Sequence, residues 1–213
     1  MKHTPLLRLS AFLPLAAGLF ITLAGLSQPA RAATETAVFA GGCFWCVESD
    51  FDRVAGVVDT TSGYAGGTEA SPNYQTVSAG RTGYAESVRV TFDNSKVSYA
   101  QLVEYFWKTI DPTVKDQQFC DEGHQYRTAI FYQNDAQKKV AEASKAKLVA
   151  SGKFPNVYTE VAPVVNFYAA EDYHQNYYKK NPVRYEFYRL NCGRDSRVKE
   201  LWGKSVHGCH PIG

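Results

Sequence analysis

Residues 35–53, ETAVFAGGCFWCVESDFDR, decide the fold, because they hold a strand, a tight turn and a helix in immediate succession. Glu35 to Gly41 is a short apolar run that ends in a glycine pair, which is typical of a strand that leads into a turn. Cys43 to Arg53 is predicted to be a helix, which puts Cys43 in its first turn. Unpaired backbone N–H groups and the positive end of the helix dipole favour a thiolate there. We therefore predict that Cys43 is reactive.

The alternative for Cys43 is a buried structural cysteine, which would need neither a helix start nor a glycine-rich approach. Gly41 and Gly42 leave the backbone open around the sulfur. Phe44 and Trp45 are either core residues or an apolar wall for a small methyl group beside the nucleophile.

The rest of the chain continues with strands and helices. Tyr84 to Phe92 alternates as a strand does, with Glu86 on the side of Val88 and Val90. Ser98 and Gln101 form a capping box ahead of a helix that ends at Asp111-Pro112. Other elements are predicted at residues 57–64 (strand), 128–132 (strand), 134–151 (helix) and 157–167 (extended, interrupted at Pro163). The order β-α-β-β-α-β predicts an α+β two-layer sandwich with a split β-α-β (ferredoxin-like) core and an irregular C-terminal region.

The first 32 residues have the three parts of a secretory signal peptide. Lys2 and Arg8 supply a basic start, the stretch from Leu9 to Ala30 carries no charge, and Ala30-Arg31-Ala32 fits signal peptidase. We expect cleavage to leave one domain, residues 33–213, with a cysteine-bearing tail from about residue 190. An uncleaved membrane anchor is the alternative, although Pro14 and two glycines interrupt the apolar stretch.

The exported part is close to electrical neutrality. Without Lys2, Arg8 and Arg31, twenty of the twenty-three basic residues remain, against twenty-one acidic ones. Nothing in this balance indicates binding to nucleic acid or to a membrane after cleavage. The remaining length suits a single domain, which we expect to be a monomer.

Five motifs then occur in order along the chain. They are Gly41 to Cys46, Gly63 to Gly67, Gly80 to Glu86, Asp121 to Arg127 and Ala170 to Gln175. Together they resemble the peptide methionine sulfoxide reductase A family from about Val38 to Tyr178, which covers most of the mature chain. The resemblance implies an enzyme that reduces the S epimer of methionine sulfoxide, free or in oxidised proteins, and so repairs oxidative damage. It also implies no metal and no organic cofactor.

The resemblance assigns a role to each of five residues. Cys43 matches the nucleophile that attacks the sulfoxide sulfur, and Glu86 matches an acid that is kept protonated to give its proton to the oxygen. Tyr64 and Tyr126 match phenols that hydrogen-bond the same oxygen. Asp121 matches a carboxylate that organises the pocket. Phe44 and Trp45 are expected at the substrate.

The attack leaves a sulfenic acid on Cys43, and a second thiol must condense with it. Cys46, one helical turn along, is the favoured resolving cysteine. Cys192 and Cys209, in the C-terminal tail, and Cys120, which stands where the family more often has glycine, are the alternatives. Five cysteines in an oxidising compartment leave at least one thiol without an internal partner. Tyr84 and Asn94 also depart from the family pattern, where histidine and proline are common, and we expect them to alter only the pocket edges.

Two other functions are compatible with parts of the sequence. Cys-x-x-Cys at a helix start in an exported protein is also typical of a thiol-disulfide oxidoreductase. A metal-binding module is the second, with ligands drawn from Cys43, Cys46, Cys192, Cys209 and His207 or His210. For the reductase we expect a thioredoxin-like protein or a dithiol as electron donor and, given the signal segment, the periplasm of a Gram-negative bacterium.

Overall fold

The computed structural model describes Met1 and residues 34–204, and the elements below all lie within residues 34–204. The predicted signal segment, apart from Met1, and the tail from residue 205 onward, with Cys209, lie outside the described residues. Within residues 34–204 no helix combines the length and the apolar character that a membrane crossing requires.

The described elements follow one another in the order β-α-β-α-β-α, then a small hairpin, then β-α-β-β and three helices. The strands are β1 (Thr34–Gly41), β2 (Val57–Ala65), β3 (Ala85–Asp93), β4 (Gln117–Gln118), β5 (Asp121–Glu122), β6 (Thr128–Tyr132), β7 (Glu160–Pro163) and β8 (Phe167–Ala169). The α-helices are α1 (Phe44–Phe51), α2 (Tyr74–Ser78), α3 (Tyr99–Trp107), α4 (Asp135–Ala150), α5 (Tyr177–Lys180), α6 (Pro182–Asn191) and α7 (Arg194–Trp202). A short 3₁₀ turn covers His124–Tyr126.

The main sheet has the strand order β7-β6-β1-β3-β2-β8. Its four central strands, β6-β1-β3-β2, are antiparallel, and α1 and α3 connect strands that are not neighbours. The predicted α+β class with a split β-α-β core is therefore confirmed. Residues 157–167 were expected to form one extended segment, but they contribute to both edges of the sheet. β7 pairs with β6 in parallel, and β8 pairs with β2, because the chain crosses the sheet after Pro163.

The core lies between the sheet and the helices α1, α3 and α4. Phe39 of β1 stacks on Phe51 and Phe106, with ring centroids 4.9 and 5.0 Å away. Val88 and Val90 of β3 point to the same side and are fully buried. Alternate residues such as Val38 and Ala40 form a smaller cluster on the opposite face. Glu86 has the parity of Val88, so β3 directs its carboxyl toward the helical layer.

The capping signals determine where the helices begin. The hydroxyl of Ser98 accepts a hydrogen bond from the Gln101 backbone N–H, and the Gln101 side chain accepts one from the Ser98 N–H. This is the predicted capping box. Asn134 caps α4 in the same way, by accepting from the Gln137 N–H at 2.9 Å.

The prediction of an irregular C-terminal region is wrong for residues 182–202, which form α6 and α7. Gly193, with φ of 67°, separates the two helices. Polar side chains hold these helices in place. Arg189 and Arg194 are each 2% exposed and form ion pairs with the buried Asp50 of α1, at 2.9 and 3.6 Å. The contacts that hold these helices are charged, so an apolar pattern alone does not reveal them.

Candidate active site

Cys43 is the N-cap residue of α1, at the end of the turn that follows β1. Gly42 has φ of 82°, and a Cβ there would stand 2.5 Å from the Cβ of Gln118. The turn therefore needs glycine at this position both for its backbone conformation and for the close approach of the β4–β5 hairpin. The predicted succession of strand, glycine turn and helix places Cys43 between the end of β1 and the first turn of α1.

Cys43 and Cys46 are both free thiols, 7% and 2% exposed, and they are hydrogen-bonded to each other. Burial, together with the contact to Cys46, raises the pKa of Cys43 well above its usual value. The hydrogen bond from Cys43 lowers the pKa of Cys46, and the nearby guanidinium groups of Arg194 and Arg189 lower it further.

The helix start does not supply Cys43 with the N–H stabilisation that the sequence analysis expected for a thiolate. The first free N–H of α1, on Phe44, donates to Oε2 of Glu86 at 3.0 Å and not to the Cys43 sulfur. Cys43 makes no side-chain capping bond. The carboxyl groups of Glu86 and Asp121 also add negative potential, which further raises its pKa.

Glu86 lies beneath the nucleophile on β3 and is 2% exposed. Burial raises the pKa of Glu86 to about 8, the Phe44 N–H lowers it in part, and Asp121 raises it. At neutral pH this carboxyl group is therefore mainly protonated. A buried acid beside the Cys43 sulfur can give a proton to a bound oxygen atom.

Two phenols face this carboxyl and thiol pair. Tyr126 lies in the 3₁₀ turn, and burial together with Glu86 raises the pKa of its hydroxyl. Tyr74, at the first position of α2, has its pKa raised to about 12 by burial, then by Glu86 and Cys43. Both hydroxyls therefore stay protonated near Glu86, as donors to a substrate oxygen must.

Tyr64 does not have the position expected of it. Its hydroxyl is buried and donates to Oε2 of Glu171 at 2.8 Å, while the other carboxylate oxygen of Glu171 accepts from the Tyr74 backbone N–H at 2.9 Å. The O–H of Tyr64 is consequently engaged by a protein carboxylate. We therefore propose Tyr74, to which the sequence analysis gave no role, in place of Tyr64 as the second oxygen-binding phenol.

An aromatic cluster forms the wall beside Cys43. Phe44 is 1% exposed and lies against His174, with ring centroids 5.0 Å apart. It therefore packs beneath the cluster and has almost no exposed surface of its own. Trp45 is partly exposed and stacks on Tyr177 at 3.7 Å, and its Nε1 donates to Nδ1 of His174 at 3.0 Å. Of the two predicted substrate-binding residues, only Trp45 presents ring surface to solvent.

Asp121 stands at the edge of the site, in the β4–β5 hairpin. Its Oδ2 accepts a hydrogen bond from the hydroxyl of Tyr188 on α6 at 2.5 Å. Burial raises the pKa of Asp121, and the bond from Tyr188 lowers it in part. The carboxylate thus ties the hairpin to α6 next to the two free thiols.

The remaining described cysteines form a disulfide, Cys120–Cys192, with Cα atoms 4.8 Å apart. The alternatives to Cys46 as resolving cysteine therefore differ in state: Cys120 and Cys192 are bonded to each other, while Cys209 lies outside the described residues. The proposed metal ligands are not brought together within residues 34–204, because Cys43 and Cys46 form one pair and Cys192 belongs to another. Cys120, Asp121 and Cys192 do lie within 4.8 Å of one another, but the two sulfurs share a bond.

A buried thiol pair beside a protonated carboxyl group and two phenols defines a thiol-dependent redox site. Residues 35–206 match the family described as peptide methionine sulfoxide reductase. The chain is 51% identical to peptide methionine sulfoxide reductase MsrA 2 of Rhizobium meliloti over 88% of its own length and 94% of the relative. It is 47% identical to MsrA of Bacillus licheniformis, over 80% and 94% of the two chains.

Solved structures agree with these relatives. Methionine sulfoxide reductase A of Corynebacterium diphtheriae is similar with a TM-score of 0.64 and 35% identity, over 72% of this chain and 77% of that one. Reduced Mxr1 of Saccharomyces cerevisiae has a TM-score of 0.64 and 34% identity, over 70% and 86%. The chain therefore belongs to the peptide methionine sulfoxide reductase family, and it is an oxidoreductase that reduces methionine sulfoxide.

Proposed function

We propose that the site reduces the S epimer of L-methionine sulfoxide, free and in oxidised proteins, with Cys43 as nucleophile. The observation that carries this assignment is the buried Glu86 beside Cys43, with its pKa raised to about 8. Expulsion of oxygen from sulfur needs a proton, and Glu86 is a protonated acid at neutral pH. Attack on the sulfoxide sulfur and protonation of its oxygen then take place at one site in the fold.

The reaction balances without any cofactor. Cys43 Sγ forms a bond to the sulfoxide sulfur, Glu86 protonates the oxygen, and the oxygen passes to Cys43 as methionine departs. The Cys43 thiol ends as a sulfenic acid, and the Glu86 proton is restored from the thiol proton. Tyr126 and Tyr74 hold the oxygen by hydrogen bonds, and the Trp45 ring lies against the methyl group.

Cys46 then attacks the sulfenic sulfur of Cys43, which releases water and forms a Cys43–Cys46 disulfide. The contact between the two thiols in the free protein supports this choice over Cys120 and Cys192, which are bonded to each other. Lowering of the Cys46 pKa by Arg194 and Arg189 also supports it, since the attacking form is the thiolate.

The electron donor in this proposal is a thioredoxin-like protein, with a small dithiol as its laboratory substitute. The signal-like residues 1–32 support export, with the periplasm of a Gram-negative bacterium as the compartment. In such a compartment the enzyme would repair proteins damaged by oxidants.

The test is methionine release from each epimer of methionine sulfoxide with dithiothreitol as reductant. We expect release from the S epimer by the wild type, almost none from the R epimer, and none from Cys43→Ser. Release from both epimers alike, or unchanged release by Cys43→Ser, contradicts the assignment. Reduction of insulin without sulfoxide turnover would instead establish the general thiol-disulfide oxidoreductase.

A further inference from the structure

Glu171 joins two tyrosines of the site and takes no part in the transfer of oxygen or protons. Its Oε2 accepts a hydrogen bond from the Tyr64 hydroxyl at 2.8 Å, and its Oε1 accepts one from the Tyr74 backbone N–H at 2.9 Å. We propose that Glu171 is a positioning residue, which holds Tyr74 where the hydroxyl of Tyr74 can donate to the sulfoxide oxygen. This proposal rests on the proposed function of Cys43 and Tyr74.

One end of this connection lies in the central sheet. Tyr64 is fully buried in β2, and its Cα is paired across the strands with that of Glu86 on β3. The ring of Tyr64 also packs against that of Phe44, with centroids 6.0 Å apart. A fully buried ring in a close-packed core has little room to move. The Tyr64 hydroxyl therefore gives Oε2 of Glu171 a fixed partner on the strand next to the acid.

The backbone beside Glu171 is attached to the same strand. The Ala170 N–H donates to the carbonyl of Ser62 on β2 at 2.9 Å. The Gln175 side chain accepts from the Ser62 N–H at 2.9 Å and donates to the Ser62 carbonyl at 2.8 Å. Its amide also donates to the Ala170 carbonyl at 2.8 Å. Both the main chain and the carboxyl group of Glu171 are therefore fixed relative to the sheet.

The other end of the connection lies in a helix that is too short to hold its own position. Helix α2 has five residues, and an isolated helix of that length is not stable in water, so tertiary contacts decide where it lies. Its second half is attached by the buried side chain of Val77 and by the Gln125 amide, which donates to the Ser78 carbonyl at 3.1 Å. Tyr74 is its first residue, and the bond from the Tyr74 N–H to Glu171 attaches this end to the sheet.

The turn that begins at Glu171 makes a second contact with Tyr74. The His174 N–H donates to the Glu171 carbonyl at 2.8 Å, and the centroid of the His174 ring lies 4.4 Å from that of the Tyr74 ring. Nδ1 of His174 accepts from Nε1 of Trp45 at 3.0 Å, which fixes the imidazole. His174 thus limits the tilt of the Tyr74 ring, while Glu171 fixes the backbone that carries it. Loss of the Glu171 bond should let the Tyr74 hydroxyl shift along the His174 ring.

Glu171 differs from Glu86 in its protonation state. Burial would raise the pKa of Glu171, but hydrogen bonds from the Tyr74 N–H, from its own N–H and from the Tyr64 hydroxyl hold the pKa below its usual value. Glu171 is therefore ionised at neutral pH. Positioning depends on the length of this side chain, because its bond to Tyr74 fixes a distance. The alternative is that Glu171 acts through its charge, since a carboxylate near the site changes the potential there.

Two variants separate length from charge. Glu171→Gln keeps the length and an oxygen that accepts from the Tyr74 N–H, and it removes the charge. Glu171→Asp keeps the charge and draws the carboxylate back by one methylene. We expect Glu171→Asp to slow single-turnover release of methionine from L-methionine (S)-sulfoxide by about 10- to 100-fold, because it misplaces a group that orients the substrate. Glu171→Gln should stay within about threefold of the wild type, because Tyr74 keeps its position.

A double-mutant cycle shows whether Glu171 acts through Tyr74. In the Tyr74→Phe background the hydroxyl that Glu171 positions is absent, so Glu171→Asp should change the rate by less than about twofold. Glu142→Asp on the exposed face of α4 is the matched control and should leave the rate unchanged. Urea unfolding of each variant confirms that the rates belong to folded protein.

Three results would overturn the positioning role. Two of them are equal slowing by Glu171→Asp with and without Tyr74→Phe, and a wild-type rate for Glu171→Asp. The third is a rate for Glu171→Gln as low as that for Tyr74→Phe, a comparison that does not need Glu171→Asp to fold. Failure of the proposed function gives a different pattern, because Tyr74→Phe alone would then release methionine at the wild-type rate, or the wild type would release none.

Discussion

The backbone N–H of Phe44 donates a hydrogen bond to Oε2 of Glu86 at 3.0 Å, which joins the first turn of α1 to strand β3. This bond takes the helix N–H that was expected to stabilise a Cys43 thiolate. It also fixes the acid beside the nucleophile. Because Glu86 is buried and largely protonated at neutral pH, its neutral carboxyl group can donate a proton directly.

We predict that Glu86→Gln lowers the rate of methionine release by about 10²- to 10⁴-fold, because the amide retains the acceptor for the Phe44 N–H but cannot transfer a proton. Single-turnover release from L-methionine (S)-sulfoxide measures the effect. The matched control is Glu142→Gln on the exposed face of α4, which should leave the rate unchanged. Equal rates for Glu86→Gln and the wild type would remove Glu86 from the mechanism.

The three tyrosines should separate into two classes. Tyr74→Phe and Tyr126→Phe should each slow release by on the order of 10²-fold, because each removes a donor to the substrate oxygen. Tyr64→Phe should instead lower the free energy of unfolding by about 1–3 kcal/mol, because it leaves an oxygen of Glu171 without its hydrogen bond. Rates and urea unfolding of all three variants test this. A rate loss in Tyr64→Phe as large as that in Tyr126→Phe, at unchanged stability, would restore the original assignment.

The protonation of Cys43 can be followed by alkylation with iodoacetamide as a function of pH, in a Cys46→Ser background. We expect the thiolate to form only above the usual cysteine range, because burial and the charges of Glu86 and Asp121 raise the pKa. Glu86→Gln removes a negative charge at alkaline pH, which stabilises the thiolate and moves the alkylation curve to lower pH. A shift to higher pH, or no shift, would mean that the two groups do not interact.

The buried ion pairs of Asp50 should govern the attachment of the C-terminal helices. Asp50→Ala leaves Arg194 buried without its carboxylate and Arg189 with Asp195 alone, and we expect a loss of about 3–5 kcal/mol in the free energy of unfolding. Urea denaturation measures it. Glu200→Ala, which removes an exposed partner of Arg197 on α7, serves as control and should change stability little. A loss in Asp50→Ala no larger than in the control would show that the cluster contributes nothing.

The central fold could be predicted because its signals are local. The apolar run before Gly41, the alternation around Glu86 and the capping box at Ser98 each specify an element without reference to distant residues. The C-terminal helices could not be predicted in this way. Their stability depends on Arg189 and Arg194 reaching a carboxylate on α1, and such a contact exists only after the chain has folded.

In the candidate site, too, some features could be predicted from local sequence, and others depend on contacts that form only in the fold. The positions of Cys43, Glu86 and Tyr126 follow from motifs, but the role of a phenol depends on what already binds its hydroxyl. Tyr64 pairs with Glu86 across β2 and β3, so sequence register makes it look suitable. Only the placement of Glu171 shows that its proton is engaged. Likewise, nothing in the spacing of Cys120 and Cys192 indicates that they meet.

The central claim is that the sulfur of Cys43 receives the sulfoxide oxygen, and the variant Cys46→Ala tests this claim most directly. After reduction and exposure to one equivalent of L-methionine (S)-sulfoxide, this variant should release one methionine per enzyme, by the chemistry of sulfenic acid formation. Dimedone trapping and peptide mapping should then place a sulfenic acid on Cys43. Methionine release with the modification on any other cysteine, or with none, would contradict the account.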